Sequence, residues 1–179
     1  MTAGIIVPGR GYGPQAPLLH LAGEALTDLG ATIETITWTV PDGLLDIGPE
    51  PFVRVHVSAA LHRLADAEPG MRPVIIGKSL GTYAAGLAAE RQLPAIWLTP
   101  LLYDDAVTKA IARNPAPALL VGGTRDRTWV SDAAARTGKT VLSIEGADHD
   151  LRPLGPLRAY TEALGAVGTE MEKFLSQLT

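Results

Sequence analysis

Apolar residues follow two alternating rhythms along this chain. Short unbroken runs occur near Ile5–Val7, Val74–Gly77, Ala95–Leu98, Ala118–Gly122 and Thr140–Ile144, and their length predicts strands. A strand covered on both faces needs apolar side chains at every position, as in a parallel sheet packed between helices. Thr32–Thr39 alternates instead, with Ile33, Thr35 and Thr37 opposite Thr32, Glu34 and Ile36, and predicts a half-exposed edge strand. Between the runs the spacing changes to that of a helix. Leu18, Leu21, Ala22, Ala25, Leu26 and Leu29 form one stripe, stopped by Gly30. Val53, Val57, Ala60, Leu61 and Leu64 form a second, closed by Pro69-Gly70. A third helix is expected to start at Ser79, where Ala84, Ala85, Ala88 and Ala89 allow close packing. Weaker signals cover about Asp104 to Ala112 and Ser131 to Arg136, and a last stripe runs from Leu157 to Leu178. Gly165 and Gly168 weaken that last helix by roughly 1 kcal/mol each relative to Ala.

Strands that alternate with helices from end to end predict an α/β fold. The expectation is a single domain over residues 1–179, with a doubly wound, mostly parallel six-stranded sheet flanked by helices. Ligands of such sheets bind at the carboxyl ends of the strands. No internal repeat, low-complexity segment or linker interrupts the pattern.

Composition narrows the function. Apolar residues make up 46% and charged residues 19%, a globular balance. The net charge of −4 and the lack of a basic run give no footprint for nucleic acid, and no apolar run approaches a membrane span. With no cysteine, disulfides and thiolate metal sites are excluded. Met1-Thr2-Ala3-Gly4 leads straight into Ile5 without the features of a secretory signal, so a cytoplasmic location is expected. The helix faces leave room for a homo-oligomer.

The chemistry concentrates after three strands. Gly77-Lys78-Ser79-Leu80-Gly81 is a G-x-S-x-G pentapeptide between an apolar strand and an Ala-rich helix, the setting of a nucleophilic serine. Serine needs a base to take its proton, histidine supplies one near neutrality, and a carboxylate orients the ring. Asp126 follows the fifth strand in Gly122-Gly123-Thr124-Arg125-Asp126, and His149 follows the sixth in Gly146-Ala147-Asp148-His149-Asp150. Serine, acid, histidine is a characteristic chain order. Asp104 and Asp105, after the fourth strand, are rival acids; Asp148 and Asp150 are too local to orient the ring easily. His20, His56 and His62 lie on helices and read as surface or interface residues. The backbone N–H of Leu80, next to the nucleophile, is one expected oxyanion donor. The glycine-rich loop Pro8-Gly9-Arg10-Gly11-Tyr12-Gly13 supplies the other, best placed at Arg10. Its glycine spacing does not fit a dinucleotide fingerprint.

On these motifs the chain resembles the α/β-hydrolase superfamily over essentially its whole length. The glycine loop stands where that family places its oxyanion loop, with Pro8 in place of the usual His. Members often begin with two additional antiparallel strands, whereas the first strand expected here is already the one before that loop, and only about one helix fits between Leu98 and Ala118, where a lid is often inserted. The resemblance therefore implies a small, capless serine hydrolase with an open site, suited to a bulky acyl donor or closed by an oligomer partner. It implies hydrolysis of a small carboxylic ester, lactone or thioester through an acyl-enzyme on Ser79, His149 and Asp126. No cofactor or metal is required, and the partner is a small-molecule acyl substrate. Acyl transfer, cyclisation or lyase chemistry at the same site is an alternative, as is a ligand-binding or partner-binding protein on the same scaffold.

Two groups of residues stand beside this core. Tyr12, Trp38, Tyr103 and Trp129 sit at or just past strand ends and are expected to wall a substrate pocket, or else to pack in the core. Arg10, Lys78, Arg125, Arg127 and Arg152 gather at the same edge. They read either as solvated loop charge, balanced by Asp42, Asp46, Asp104, Asp148 and Asp150, or as selectors of an anionic acyl substrate.

Overall fold

A computed structural model describes residues 3–178. Six strands form one all-parallel sheet: β1 (Ala3–Val7), β2 (Thr32–Thr35), β3 (Val74–Lys78), β4 (Ala95–Leu98), β5 (Ala118–Gly123) and β6 (Thr140–Ile144), in the order β2-β1-β3-β4-β5-β6. The chain first winds outward from β1 to β2, then returns to the other side of β1 and continues to β6. The direction of winding thus reverses between β1 and β3, the crevice where doubly wound sheets bind ligands. The loop after β1 and the pentapeptide after β3 flank that crevice.

Among the described residues six α-helices lie between the strands and a seventh follows β6: α1 (Pro17–Asp28), α2 (Leu44–Ile47), α3 (Glu50–Ala67), α4 (Ala85–Arg91), α5 (Asp105–Arg113), α6 (Ser131–Arg136) and α7 (Leu157–Ser176). Leu18, Leu26, Met171 and Leu175 of α1 and α7 pack one face of the sheet against Ile76, Ile96 and Leu119. Val53, Leu87, Val107 and Ala133 of α3 to α6 pack the other face against Ile75, Trp97 and Leu120. The inner strands β1, β3, β4 and β5 are buried at every residue, as their unbroken apolar runs require. Among the described residues no helix is long and apolar enough to cross a membrane.

Three local expectations need correction, and one short element has no counterpart among them. The edge strand β2 ends at Thr35, because only the Ile36 N–H still reaches β1, at the carbonyl of Ile6 (2.9 Å). Strand β6 is the opposite edge and is exposed at Thr140, Val141 and Ser143, so its apolar run is covered on only part of its surface. The helix beginning at Ser79 starts as a tight 3₁₀ segment, Ser79–Ala84, before α4 takes over. The single turn α2 lies in a stretch of Pro, Gly and Asp whose four helical residues are too few to show a period.

Candidate active site

Backbone geometry positions Ser79. It follows β3 directly and takes φ = 51°, a left-handed conformation that costs a non-glycine residue about 1–3 kcal/mol. Close packing on both sides enforces the turn. A Cβ on Gly77 would lie 2.8 Å from the Trp97 ring, and one on Gly81 would lie 2.7 Å from the carbonyl oxygen of Val7. The Thr82 hydroxyl closes the turn by donating to the Ser79 carbonyl. Leu80 is the second residue of the 3₁₀ segment, in the first turn, where the N–H groups have no partner within the helix. Across the crevice, the Gly9 N–H donates to the Tyr12 carbonyl (3.0 Å) and bends the glycine loop back on itself. Among the described residues the Arg10 N–H makes no hydrogen bond.

Polar bonds bring the other two residues together. A Cβ on Gly123 would lie 2.2 Å from the Ala147 carbonyl oxygen, so the ends of β5 and β6 approach as closely as backbones allow. The Arg125 N–H donates to that same carbonyl (2.9 Å). Asp148 folds the following loop: its Oδ1 accepts from the N–H groups of Asp150 (3.0 Å) and Arg152 (3.1 Å). Asp148 therefore shapes the loop that carries His149 and does not touch the ring.

The result is a continuous chain of contacts. His149 Nε2 lies 2.8 Å from Ser79 Oγ, and His149 Nδ1 lies 2.8 Å from Asp126 Oδ2. Asp126 is buried and also accepts from the N–H of Thr128 (2.8 Å) and from its hydroxyl. Burial alone would raise this carboxyl above its usual range, but the bonds from His149 and Thr128 outweigh it and hold it low. An ionised carboxylate only accepts, so the proton between the two groups belongs to Nδ1. Nε2 then offers its lone pair to the serine hydroxyl, the tautomer a general base requires.

Thr128 has no signal in the sequence beyond its place two residues after the acid. Its hydroxyl donates to Asp126 and lies 3.2 Å from His149 Nδ1, bridging acid and base. The rival acids are occupied elsewhere. Asp104 caps α5 through the Ala106 N–H (2.8 Å) and accepts from the Tyr83 hydroxyl (3.1 Å), while exposed Asp105 pairs with Lys109 at 3.6 Å.

The four aromatic residues separate into different roles. Trp129 is a core residue stacked so closely on Gly122 that a Cβ there would lie 1.9 Å from its ring, which favours core packing over a pocket wall, the two readings open to it. Trp38 is half-buried against Phe52 and His56, and its Nε1–H donates to the Gly9 carbonyl (3.1 Å), bracing the glycine loop. Tyr12 is half-buried, its hydroxyl accepts from the Leu18 N–H (2.9 Å), and burial pushes its pKa up to about 12. Tyr103 is exposed. A cavity of about 570 Å³ between α3, α4 and α5 includes Tyr83 and Asp104 but none of Ser79, Asp126 and His149.

The cations also divide. Arg125 donates to the Gly146 carbonyl (3.1 Å) and pairs with Asp148 (3.5 Å), and Arg152 stacks over Tyr160, so both act within the protein. Lys78 is buried, whereas Arg10 and Arg127 are exposed.

Comparison with known proteins places the fold. No protein-family model matches the sequence, and no curated protein matches it. Solved structures do match over almost the full chain. A protein assigned to the α/β hydrolase superfamily from Xanthomonas campestris pv. campestris aligns with a TM-score of 0.71 at 20% identity, covering 99% of each chain. An α/β serine hydrolase without a lid, from Xanthomonas campestris, aligns at 0.68 and 16% identity, covering 97% of this chain and 82% of its own. Est1E from Butyrivibrio proteoclasticus, solved with ferulic acid bound, aligns at 0.73 and 15% identity, covering 99% and 89%. Here α5 is the one helix between β4 and β5, so no inserted domain covers the crevice. The chain has the α/β-hydrolase fold in its small, lid-less form.

Proposed function

We propose that this protein is a serine hydrolase that cleaves a small carboxylic ester, lactone or thioester through an acyl-enzyme. The observation that carries the reading is the Ser79–His149–Asp126 chain, two contacts of 2.8 Å with the ring tautomer fixed by a buried carboxylate. In the first step Ser79 Oγ attacks the carbonyl carbon while its proton moves to His149 Nε2. The backbone N–H groups of Leu80 and Arg10 hold the oxygen as it gains charge. Collapse of the tetrahedral adduct expels the alcohol or thiol, which takes the proton back from His149. Water then enters by the same route, releases the carboxylic acid and restores Ser79. Asp126 keeps the imidazolium favourable at both stages, and Thr128 keeps Asp126 in place.

The left-handed Ser79 supports the same reading, because a strained backbone outside glycine has to be held by its surroundings and lifts the hydroxyl clear of the sheet. The intact proton path counts against a non-catalytic scaffold. Ferulic acid bound to Est1E argues for including aromatic acyl groups among the substrates tried. The test is a kcat/KM series over esters, lactones and thioesters of graded chain length, with a feruloyl ester included, run on wild type and Ser79→Ala. Turnover confined to wild type supports the proposal. Equal turnover in Ser79→Ala refutes it.

A further inference from the structure

Lys78 is the second residue of the pentapeptide, and its side chain is only 1% exposed. Lysine is rarely buried so fully without partners, because an ammonium taken from water loses its hydration. A leucine or methionine would fill the same space without that cost, so packing alone does not account for it. The contacts of its head group are specific. Nζ donates to the backbone carbonyl of His149 at 2.9 Å, lies 3.7 Å from Asp150 Oδ1, and sits 4.7 Å from the centre of the Tyr12 ring. Its stem packs on the glycine loop, where a Cβ on Gly9 would lie 3.6 Å from Lys78 Cγ. One side chain, rooted beside the nucleophile, therefore reaches both the oxyanion-side loop and the histidine loop.

These contacts differ in weight. The Asp150 side chain is 62% exposed, so its ion pair with Lys78 is screened by solvent. The bond to the His149 carbonyl lies inside and fixes the peptide from which the imidazole hangs. Tyr12 is itself tied to α1 through Leu18 and to Gly9 through its carbonyl. Movement of the lysine head would disturb the imidazole and the Arg10 N–H together.

Building on the serine-hydrolase reading, we propose that Lys78 is a positioning residue whose buried ammonium tethers the His149 backbone and the Gly9–Tyr12 loop to the nucleophile, so that base and oxyanion donor stay aligned with Ser79.

The tether has a signature in pH. Burial pulls the Lys78 ammonium down to about 8, against the opposing pull of Asp150, Asp126 and Asp148. His149 and Tyr12 also face it, and Tyr12 stays neutral across this range. Above about pH 8 the head group loses its charge and the tether slackens, so activity falls. Stability moves the other way. The unfolded lysine keeps its proton up to about 10.4, so between these values the unfolded state binds more protons and the folded state gains as pH rises. A lysine with no part in positioning would give the same rise in stability with no fall in activity.

The experiment compares wild type, Lys78→Met, Asp150→Asn and the distant exposed control Lys173→Met. It measures kcat and KM for a simple aryl ester from pH 6 to 10, thermal stability, and amide hydrogen exchange across residues 146–153. Lys78→Met is expected to lose roughly 10–100-fold in kcat with KM changed little, because small misplacements of reacting groups have effects of that size. It should also lose the alkaline limb, exchange faster at residues 149–152, and melt no lower than wild type, since a buried charge has been removed. Asp150→Asn keeps the lysine and should move the alkaline limb to lower pH; Lys173→Met should change nothing. Wild-type kcat and an unchanged limb in Lys78→Met would overturn the proposal, as would a kcat loss matched by a lower Tm with no change in local exchange. If Lys78→Met does not fold, the limb of Asp150→Asn decides. Failure of wild type to turn over any ester or to react at Ser79 sinks the hydrolase reading itself, and exchange at residues 149–152 still reports whether the tether exists.

Discussion

The two halves of the candidate site are held by different physics. On the nucleophile side, hard steric contacts leave Ser79 one conformation: Gly77 lies against the Trp97 ring, and Gly81 against the carbonyls of Val7 and Pro8. On the acid–base side, hydrogen bonds do most of the work. Asp126 accepts from Thr128 and His149, Asp148 folds the loop, and Lys78 holds it from below. Gly122 against Trp129 and Gly123 against Ala147 repeat the steric logic there. A site half built from contacts and half from polar bonds should fail in two distinct ways. Damage to the elbow should show first as lost stability, and damage to the acid–base side as lost rate.

The largest separation is expected from Asp126→Asn. It keeps the shape of the carboxyl but no longer dictates the imidazole tautomer, and kcat should fall by about 10⁴-fold. Tm should drop by only a few degrees, and steady-state kinetics beside calorimetry will show whether rate and stability separate. Gly81→Ala should do the opposite. Its new methyl meets backbone oxygens that cannot rotate away, with an expected cost of about 2–3 kcal/mol and a fall in Tm of roughly 5–10 °C. Thr128→Val keeps the volume but removes the hydroxyl that bridges acid and base. Loss of one bond to a charged group predicts about a tenfold lower kcat. Smallest of all, Ser79→Gly relieves the left-handed strain and should raise Tm by about 2–4 °C while abolishing turnover. A lower Tm in that variant would mean the elbow is not strained.

The same division explains what was legible in the sequence. Residues 95–98 have to be apolar on both faces, so a parallel strand could be read from four letters. The small residues at Gly77 and Gly81 likewise record local collisions, and they bracket Ser79 within five positions. The chain order of Ser79, Asp126 and His149 followed from strand ends that the topology brings to one edge. Thr128 could not be read this way, because a hydroxyl bridging two side chains leaves no period and no steric trace. Lys78 was visible only as loop charge or a selector of an anionic substrate, since its partner carbonyl belongs to the loop after the last strand. Trp129 stayed undecided for a related reason: an aromatic near a strand end suits a pocket wall and a core equally until Gly122 is seen beneath it. The exposed side of β6 was hidden as well, because being outermost is a property of the sheet rather than of Thr140–Ile144.

The central claim, that Ser79 is a nucleophile activated by His149, is tested most directly by mass spectrometry after exposure of the folded protein to a serine-directed fluorophosphonate. A single phosphonyl adduct on the peptide that contains Ser79, absent from Ser79→Ala, is the predicted result. No adduct on the folded wild type, or one that persists in Ser79→Ala, would contradict it.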